Sequence, residues 1–262
     1  MGSRLEDRAA VITGAGSGFG RATALRFVEE GARFLALVDL SSARLEAVAA
    51  ELSQRSSAEL LILPTDLGDR SACHAVMDAA LEKAPIDILV SNAAPTRSPT
   101  SVLELDESAW DQDFAVNVMA SWILGRRAGL AMRDAGGGVI LYTASISALG
   151  GERGFASYCA TKAGIVALSQ VMAVELAEFG IRVNCVSPGP ADTQRSVDFL
   201  GEDKMAELRA SFSSAPLQRL ATADDVANAF VYLASDESAY VTGHNLVVDG
   251  GLSTRIFVAP DD

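Results

Sequence analysis

The stretch Thr13-Gly-Ala-Gly-Ser-Gly-Phe-Gly limits the folds open to this chain more than any other. It follows the apolar run Ala9-Ala-Val-Ile, which reads as a short buried strand. It precedes residues 21–30, which read as a helix stopped by Gly31. Strand, glycine-rich turn and helix in that order make the glycines informative. Gly14, Gly18 and Gly20 permit a tight turn and close approach of backbone to a pyrophosphate, and the free N–H groups opening the helix then face the anion. The spacing is G-x-x-x-G-x-G rather than the commoner G-x-G-x-x-G, and Gly16 adds a glycine without restoring that pattern.

The alternation continues. Arg33-Phe-Leu-Ala-Leu-Val-Asp reads as a second strand ending in Asp39. A carboxylate about 20 residues past the glycines suits a ribose 2′-hydroxyl and repels a 2′-phosphate. Leu40 and Ser41 bring no positive charge and Arg44 lies one turn into the next helix, so NAD is expected rather than NADP. Asp39 or Ser41 could equally cap the helix over 43–54. Leu60-Leu-Ile-Leu-Pro-Thr-Asp-Leu reads as a third strand, with Asp66 placed to accept from an adenine amine and Leu67 to pack on the ring. A helix over 70–83 and a fourth strand running from Ile86 into Asn92 follow. Four strands alternating with helices predict an α/β, doubly wound parallel sheet. At 262 residues one domain suffices.

Further strands are expected at Val139–Ser145, over 181–187, and from Asn245, giving seven. A helix over 107–133 carries Asn117 among apolar neighbours, either as a buried amide tied to backbone or as a kink beside a site. Thr222 is placed to cap a helix reaching Ser235.

Between these elements lies Ser145 to Lys162. Tyr158 and Lys162 are four residues apart in an expected helix, so their Cβ atoms are roughly 5–6 Å apart on one face. An ammonium there stabilises a phenolate and lowers the phenol from its ordinary pKa of about 10, which suits general acid–base work. Ser145 would stand at a strand's carboxyl end, where open parallel sheets bind ligands. A Tyr-x-x-x-Lys pair alone is more often a solvated helix face; its setting here gives it weight.

Residues 190–215 differ in character, with a polar entry and then Phe199, Leu200, Met205, Leu208 and Phe212 among charges. The last three fall on one helical face. The segment reads either as a lid over an apolar substrate or as an ordinary loop with a short helix. The formal charge of −13 argues against nucleic acid or an anionic membrane as partner. Cys73, Cys159 and Cys185 show no C-x-x-C spacing, and with only His74 and His244 no metal site is expected. Reduced thiols suit the cytoplasm. No secretory signal is evident, and no uncharged run approaches the length of a membrane span.

Together these pieces resemble the short-chain dehydrogenase/reductase family, in its single-domain branch, over nearly everything from Leu5 to Leu252. The motifs stand in the family's order: Thr13–Gly20, Asp66, Ser91-Asn-Ala-Ala, Asn117, Ser145, Tyr158-x-x-x-Lys162, Pro188-Gly189 and Val248-Asp-Gly-Gly. The resemblance implies a Rossmann-like seven-stranded fold and a tetrad. In it Tyr158 is general acid or base, Ser145 holds the substrate oxygen, Lys162 binds the nicotinamide ribose and depresses the tyrosine, and Asn117 holds a water in a proton relay. It further implies dinucleotide contacts at Gly14, Ser17, Gly18, Phe19, Gly20, Asp39, Leu40, Asp66, Leu67, Asn92, Ala93, Pro188, Gly189 and Thr193. Ser91-Asn-Ala-Ala before Pro95 departs from the family's Asn-Asn-Ala-Gly.

The expected activity is NAD-dependent oxidation of a compact secondary alcohol, or reduction of its ketone, with Arg97, Glu152 and Arg153 as candidate polar contacts. Against it stand an NADPH-dependent 3-oxoacyl-carrier-protein reductase and, in another class, a non-catalytic NAD-binding sensor. By resemblance a homotetramer is expected, with the apolar segment Ile256-Phe-Val-Ala against a neighbouring subunit.

Overall fold

The computed structural model describes residues 3–96 and 98–254. Arg97 and the segment from Ile256 to Ala259, both singled out above, lie outside them. In chain order the elements are β1 (Ala9–Thr13), α1 (Gly18–Glu29), β2 (Phe34–Asp39), α2 (Ser42–Ser53), β3 (Glu59–Pro64), α3 (Arg70–Lys83) and β4 (Ile88–Ser91). Then come α4 (Glu107–Asp113), a π-helical stretch (Phe114–Ala120), α5 (Ser121–Ala135), β5 (Gly138–Thr143), α6 (Ala156–Leu176), β6 (Ile181–Pro188), α7 (Gln194–Leu200), α8 (Glu202–Ala210), α9 (Ala223–Ala234) and β7 (Asn245–Val248).

The strands form one seven-stranded sheet in the order β3-β2-β1-β4-β5-β6-β7. Every ladder is parallel. A parallel sheet needs both faces covered, and the central strands are accordingly apolar on both. Along β1, Ala9 and Val11 join the core that includes α3, α5 and α6. Ala10 and Ile12 join the core made with α1, α2 and α9. At the sheet's edge β3 is only partly buried, which is why its sequence carries Glu59.

The chain winds outward from β1 through β2 to β3, then returns to β4 beside β1 and winds the other way. The reversal opens a crevice at the carboxyl ends of β1 and β4, where such sheets bind ligands. Gly14 and Asn92 follow those two ends directly.

Several boundaries differ from the sequence reading. The helix of residues 107–133 is interrupted by the π-helical stretch, whose middle residue is Asn117. Extra residues inserted in this way often mark functional sites. Met205, Leu208 and Phe212 do not share a helix: α8 ends at Ala210 and Ser211 is extended, so Phe212 lies beyond it. Met205 alone of the three is buried, at 0% exposure. The helix α1 begins at Gly18, because its first turn contributes backbone rather than side-chain pattern. With its 3₁₀ extension, α6 is long and apolar enough by composition to cross a membrane. Its inner face instead packs on the sheet and carries the buried Lys162.

Candidate active site

A cleft of about 530 Å³ lies along the crevice. Its floor is set by close packing of backbone. Gly14 has φ +66°, and a Cβ there would stand 2.8 Å from Asn92 Nδ2; one on Gly20 would stand 2.1 Å from the Gly14 carbonyl oxygen. Only glycine permits this approach. Ser17 caps α1 with extended backbone but without a side-chain cap bond, and the first turn carries no acid. The opening N–H groups of α1 are therefore left for an anion, as a pyrophosphate requires.

Asn92 lines the cleft and also holds the site together. Its Nδ2 donates to the Thr13 carbonyl at 3.1 Å, its Oδ1 accepts from Thr143 Oγ1 at 3.0 Å, and its own N–H donates to Thr13 Oγ1 at 2.8 Å. The ends of β1, β4 and β5 are thereby pinned to one another. Ala94, where the resembled family's pattern has glycine, avoids positive φ, so the turn needs no glycine there.

Asp39 ends β2 and lines the cleft. One carboxylate oxygen accepts from Gly16 N–H at 3.1 Å and the other from Ser41 N–H at 3.0 Å. Ser41, not Asp39, caps α2. A carboxylate has about four acceptor sites, so two remain for ribose hydroxyls. Asp66 accepts from Gly68 N–H at 2.8 Å and also lines the cleft, with Leu67 beside it.

Ser145 lies two residues past β5 and caps a 3₁₀ turn, its Oγ accepting from Ser147 N–H at 3.1 Å. The Ser145 hydroxyl donates to Ser147 Oγ at 3.1 Å, and that hydroxyl donates to Glu152 Oε2 at 2.6 Å. Lys162 is 3% exposed. Its ammonium donates to the Thr143 carbonyl at 2.7 Å and stands 5.5 Å from the Tyr158 ring centroid. Burial, aided by the charge of Arg195, brings Lys162 down to about 7. Asn117 is buried behind the pair. Its Nδ2 donates to Thr161 Oγ1 at 3.0 Å, while its Oδ1 has no hydrogen-bond partner among the described residues.

Lys162 is expected to depress the tyrosine with the help of a bound oxidised nicotinamide; in the chain without the dinucleotide, burial acts the other way. Burial raises Tyr158 above the usual phenol range, against the lowering by the Arg195 charge and the Ser145 hydrogen bond. The lysine has itself lost much of its hold on a proton, which weakens the field it was expected to supply.

Of the residues singled out from sequence, Ser145, Tyr158, Lys162 and all the dinucleotide set except Gly20 line the cleft. Gly20 and Asn117 sit behind its wall. Leu40 lies at the rim, 74% exposed. Sequence reasoning passed over Thr65, Gln112, Val116, Gln194, Arg195 and Asp198, which also line it, and set aside Arg44, which does too. Arg195 had no signal beyond its place in residues 190–215. That segment comes to the cleft through α7: Phe199 packs edge-on against Phe155 at 5.6 Å, and Phe155 against Tyr158 at 6.2 Å. Glu152 reaches the site through Ser147, whereas Arg153 is exposed and does not line the cleft.

Among the described residues no group of His, Cys, Asp and Glu is placed to hold a metal. Cys73, Cys159 and Cys185 are free thiols, and burial pushes Cys73 and Cys185 up to about 11.

Comparison with known proteins agrees with this geometry. A family model described as enoyl-(acyl carrier protein) reductase matches residues 14–253. An uncharacterised short-chain type dehydrogenase/reductase of Sinorhizobium fredii is 39% identical over 254 residues, covering 95% of this chain and 98% of the relative. The cis-4-hydroxycyclohexanecarboxylate dehydrogenase of Sinomonas cyclohexanicum is 37% identical, covering 96% and 98%. The crystal structure of 3-ketoacyl-(acyl-carrier-protein) reductase from Brucella melitensis, complexed with NADH, superposes with a TM-score of 0.85 at 33% identity, covering 95% of this chain and 99% of that one.

Proposed function

The chain belongs to the short-chain dehydrogenase/reductase family, as an oxidoreductase of alcohols and ketones that works with a nicotinamide dinucleotide, and we propose that it prefers NAD(H) and acts on a compact secondary alcohol or its ketone. One observation carries the reading: Ser145 and Tyr158 line one cleft while Lys162, anchored on the end of β5, is held 5.5 Å from the Tyr158 ring centroid.

The glycine turn and the opening of α1 would hold the pyrophosphate, Asp39 the adenosine ribose, and Asp66 with Leu67 the adenine. When bound, the dinucleotide accepts or supplies the hydride. This chain's residues handle the proton and the substrate oxygen. Ser145 holds the oxygen in place as charge develops on it. Tyr158 gives that oxygen a proton in reduction and takes one in oxidation. Lys162, anchored on Thr143, would meet the nicotinamide ribose and complete the path by which Tyr158 regains its proton. The orphaned Asn117 Oδ1 fits an acceptor for a water on that path.

Asp39 supports NAD(H), since its charge opposes a 2′-phosphate. Arg44 favours a second reading, NADPH-dependent reduction of a 3-oxoacyl carrier protein. It lines the same end of the cleft and makes no ion pair among the described residues. Fluorescence titration of NADH and NADPH on wild type, Asp39→Ala and Arg44→Ala separates the two. NADH binding at least about tenfold tighter, with the margin narrowing in Asp39→Ala, supports the first reading. NADPH binding tighter, and weakening in Arg44→Ala, replaces it with the second. Ordinary NADH binding with no turnover of any secondary alcohol, and no change in Tyr158→Phe, would instead favour a sensor.

A homotetramer is part of the proposal. Val171 and Val174 on α6 are 54% and 81% exposed and Trp122 on α5 is 44% exposed, an apolar surface that suits subunit contact. Light scattering of active protein at monomer mass would overturn it. The free thiols support a reducing, cytoplasmic setting.

A further inference from the structure

The side chain of Arg195 is out of keeping with a site built only for a neutral alcohol. It comes from the first turn of α7 and lines both the main cleft and a small hollow of about 40 Å³ beside Tyr158. One guanidinium nitrogen donates to the Pro95 carbonyl at 2.8 Å, which fixes the side chain over the cleft mouth. The guanidinium carbon then lies 5.8 Å from the Tyr158 ring centroid.

Arg195 has no carboxylate partner among the described residues, although the chain carries 34 acidic side chains against 21 Lys and Arg. Elsewhere the arginines of this region are paired. Arg209 meets Asp192 through two nitrogens at 2.9 Å, and Arg219 meets Asp225. The acids near Arg195 are committed to other donors. Asp198, one turn on, accepts from Gln194 at 2.9 Å; Asp113, in the wall of the hollow, accepts from Ser157; Glu152 accepts from Ser147. A guanidinium presents five donors, and one bond to Pro95 leaves most of them turned to the cleft. A carboxylate is the planar acceptor that fits this fork.

We propose that Arg195 is a specificity-determining residue, and that the substrate is a secondary alcohol or ketone bearing a carboxylate, which meets Arg195 while the reacting oxygen lies at Ser145 and Tyr158. Leu105 and Phe155 in the hollow then face the hydrocarbon between the two ends. The substrate charge is read at Arg195, whose guanidinium carbon lies 5.8 Å from the Tyr158 ring centroid, so the carboxylate and the reacting oxygen meet neighbouring groups of one cleft. This inference rests on the dehydrogenase reading and narrows its substrate class.

The test uses a series of cyclic and acyclic secondary hydroxy acids with increasing separation of carbinol and carboxylate, each beside its methyl ester. Turnover is measured with NAD on wild type, Arg195→Gln and Arg195→Lys. Binding of the same compounds to the NADH-loaded Tyr158→Phe protein, with and without Arg195→Gln, is measured by titration. The expected result is at least one acid whose kcat/KM exceeds that of its ester by about tenfold or more, mainly through KM. That ratio falls toward one in Arg195→Gln and is partly kept in Arg195→Lys. Acids binding no more tightly than their esters throughout the series would overturn the proposal. So would an Arg195→Gln that weakens NADH binding as much as acid binding, which would assign the guanidinium to the dinucleotide phosphates. Turnover of neutral alcohols with no preference for acids leaves the dehydrogenase reading standing and removes this one. Selective acid binding without any turnover does the reverse.

Discussion

The Lys162 ammonium donates to the carbonyl of Thr143 at 2.7 Å, so that a cation from α6 is held against the last residue of β5. The bond fixes where the lysine stands, and burial decides how readily it keeps its proton.

Lys162 falls from its ordinary 10.5 to about 7 on folding, with burial the main cause. Between those values the unfolded chain binds more protons than the folded one, so stability rises with pH across the window and the penalty is fully present below it. Lys162→Met removes that penalty and loses the bond to Thr143, a net gain of about 1–3 kcal/mol near neutral pH. Thermal melts of the cofactor-free protein should show the variant more stable at about pH 7, with the gain shrinking toward about pH 10. The same variant should lose turnover. An unchanged melting temperature at neutral pH would contradict the buried cation.

Tyr158→Phe should lower kcat by roughly 10²–10⁴-fold, the usual contribution of a positioned acid–base group, while NADH binds within about twofold of wild type. Stopped-flow turnover and NADH fluorescence measure the two. A variant that keeps more than about a tenth of the rate would remove Tyr158 from the proton path.

Two charges act on Tyr158 in opposite senses: Arg195 lowers its pKa and Glu152 raises it. In oxidation the phenolate is the base, so activity climbs as pH passes the tyrosine's apparent pKa. Arg195→Gln should move that limb to higher pH and Glu152→Gln to lower pH. Because both side chains are exposed, each shift should be only a few tenths of a pH unit. Two shifts of the same sign would show that the variants act through shape rather than charge.

Gly20→Ala should destabilise the fold by about 1–3 kcal/mol, since the added carbon meets a backbone oxygen that cannot swing aside. Urea denaturation should place its midpoint below wild type, and NADH affinity should fall with it. Gly150→Ala, whose Cβ meets nothing within 4 Å, is the matched control and should unfold with wild type.

The periodic features were legible in the chain itself. Seven apolar runs separated by helical segments lead to a parallel sheet because apolar runs of strand length need cover on both faces. The glycine turn after β1 and the acid ending β2 are local too, since their chemistry lies in residues adjacent in sequence. Asn117 was legible only as an oddity among apolar neighbours, and the π-helical stretch around it is the reason it reaches Thr161.

Other features depend on distance through space. Whether Asp39 or Ser41 capped α2 turned on which backbone N–H groups came within reach, and Asp39 was drawn to Gly16 across the turn. The sense of the Tyr158 shift depended on burial, which no spacing of residues states. Arg195 is separated by 37 positions from Tyr158 in the chain (195 less 158) and meets it only because α7 folds back over the sheet's carboxyl edge. Repeating patterns specify the sheet and its glycine turn because strands and helices impose their period on neighbouring residues. The charge at the cleft mouth, the loss of the lysine's proton affinity and the direction of the tyrosine shift arise only once packing has removed water and set distant groups a few ångströms apart.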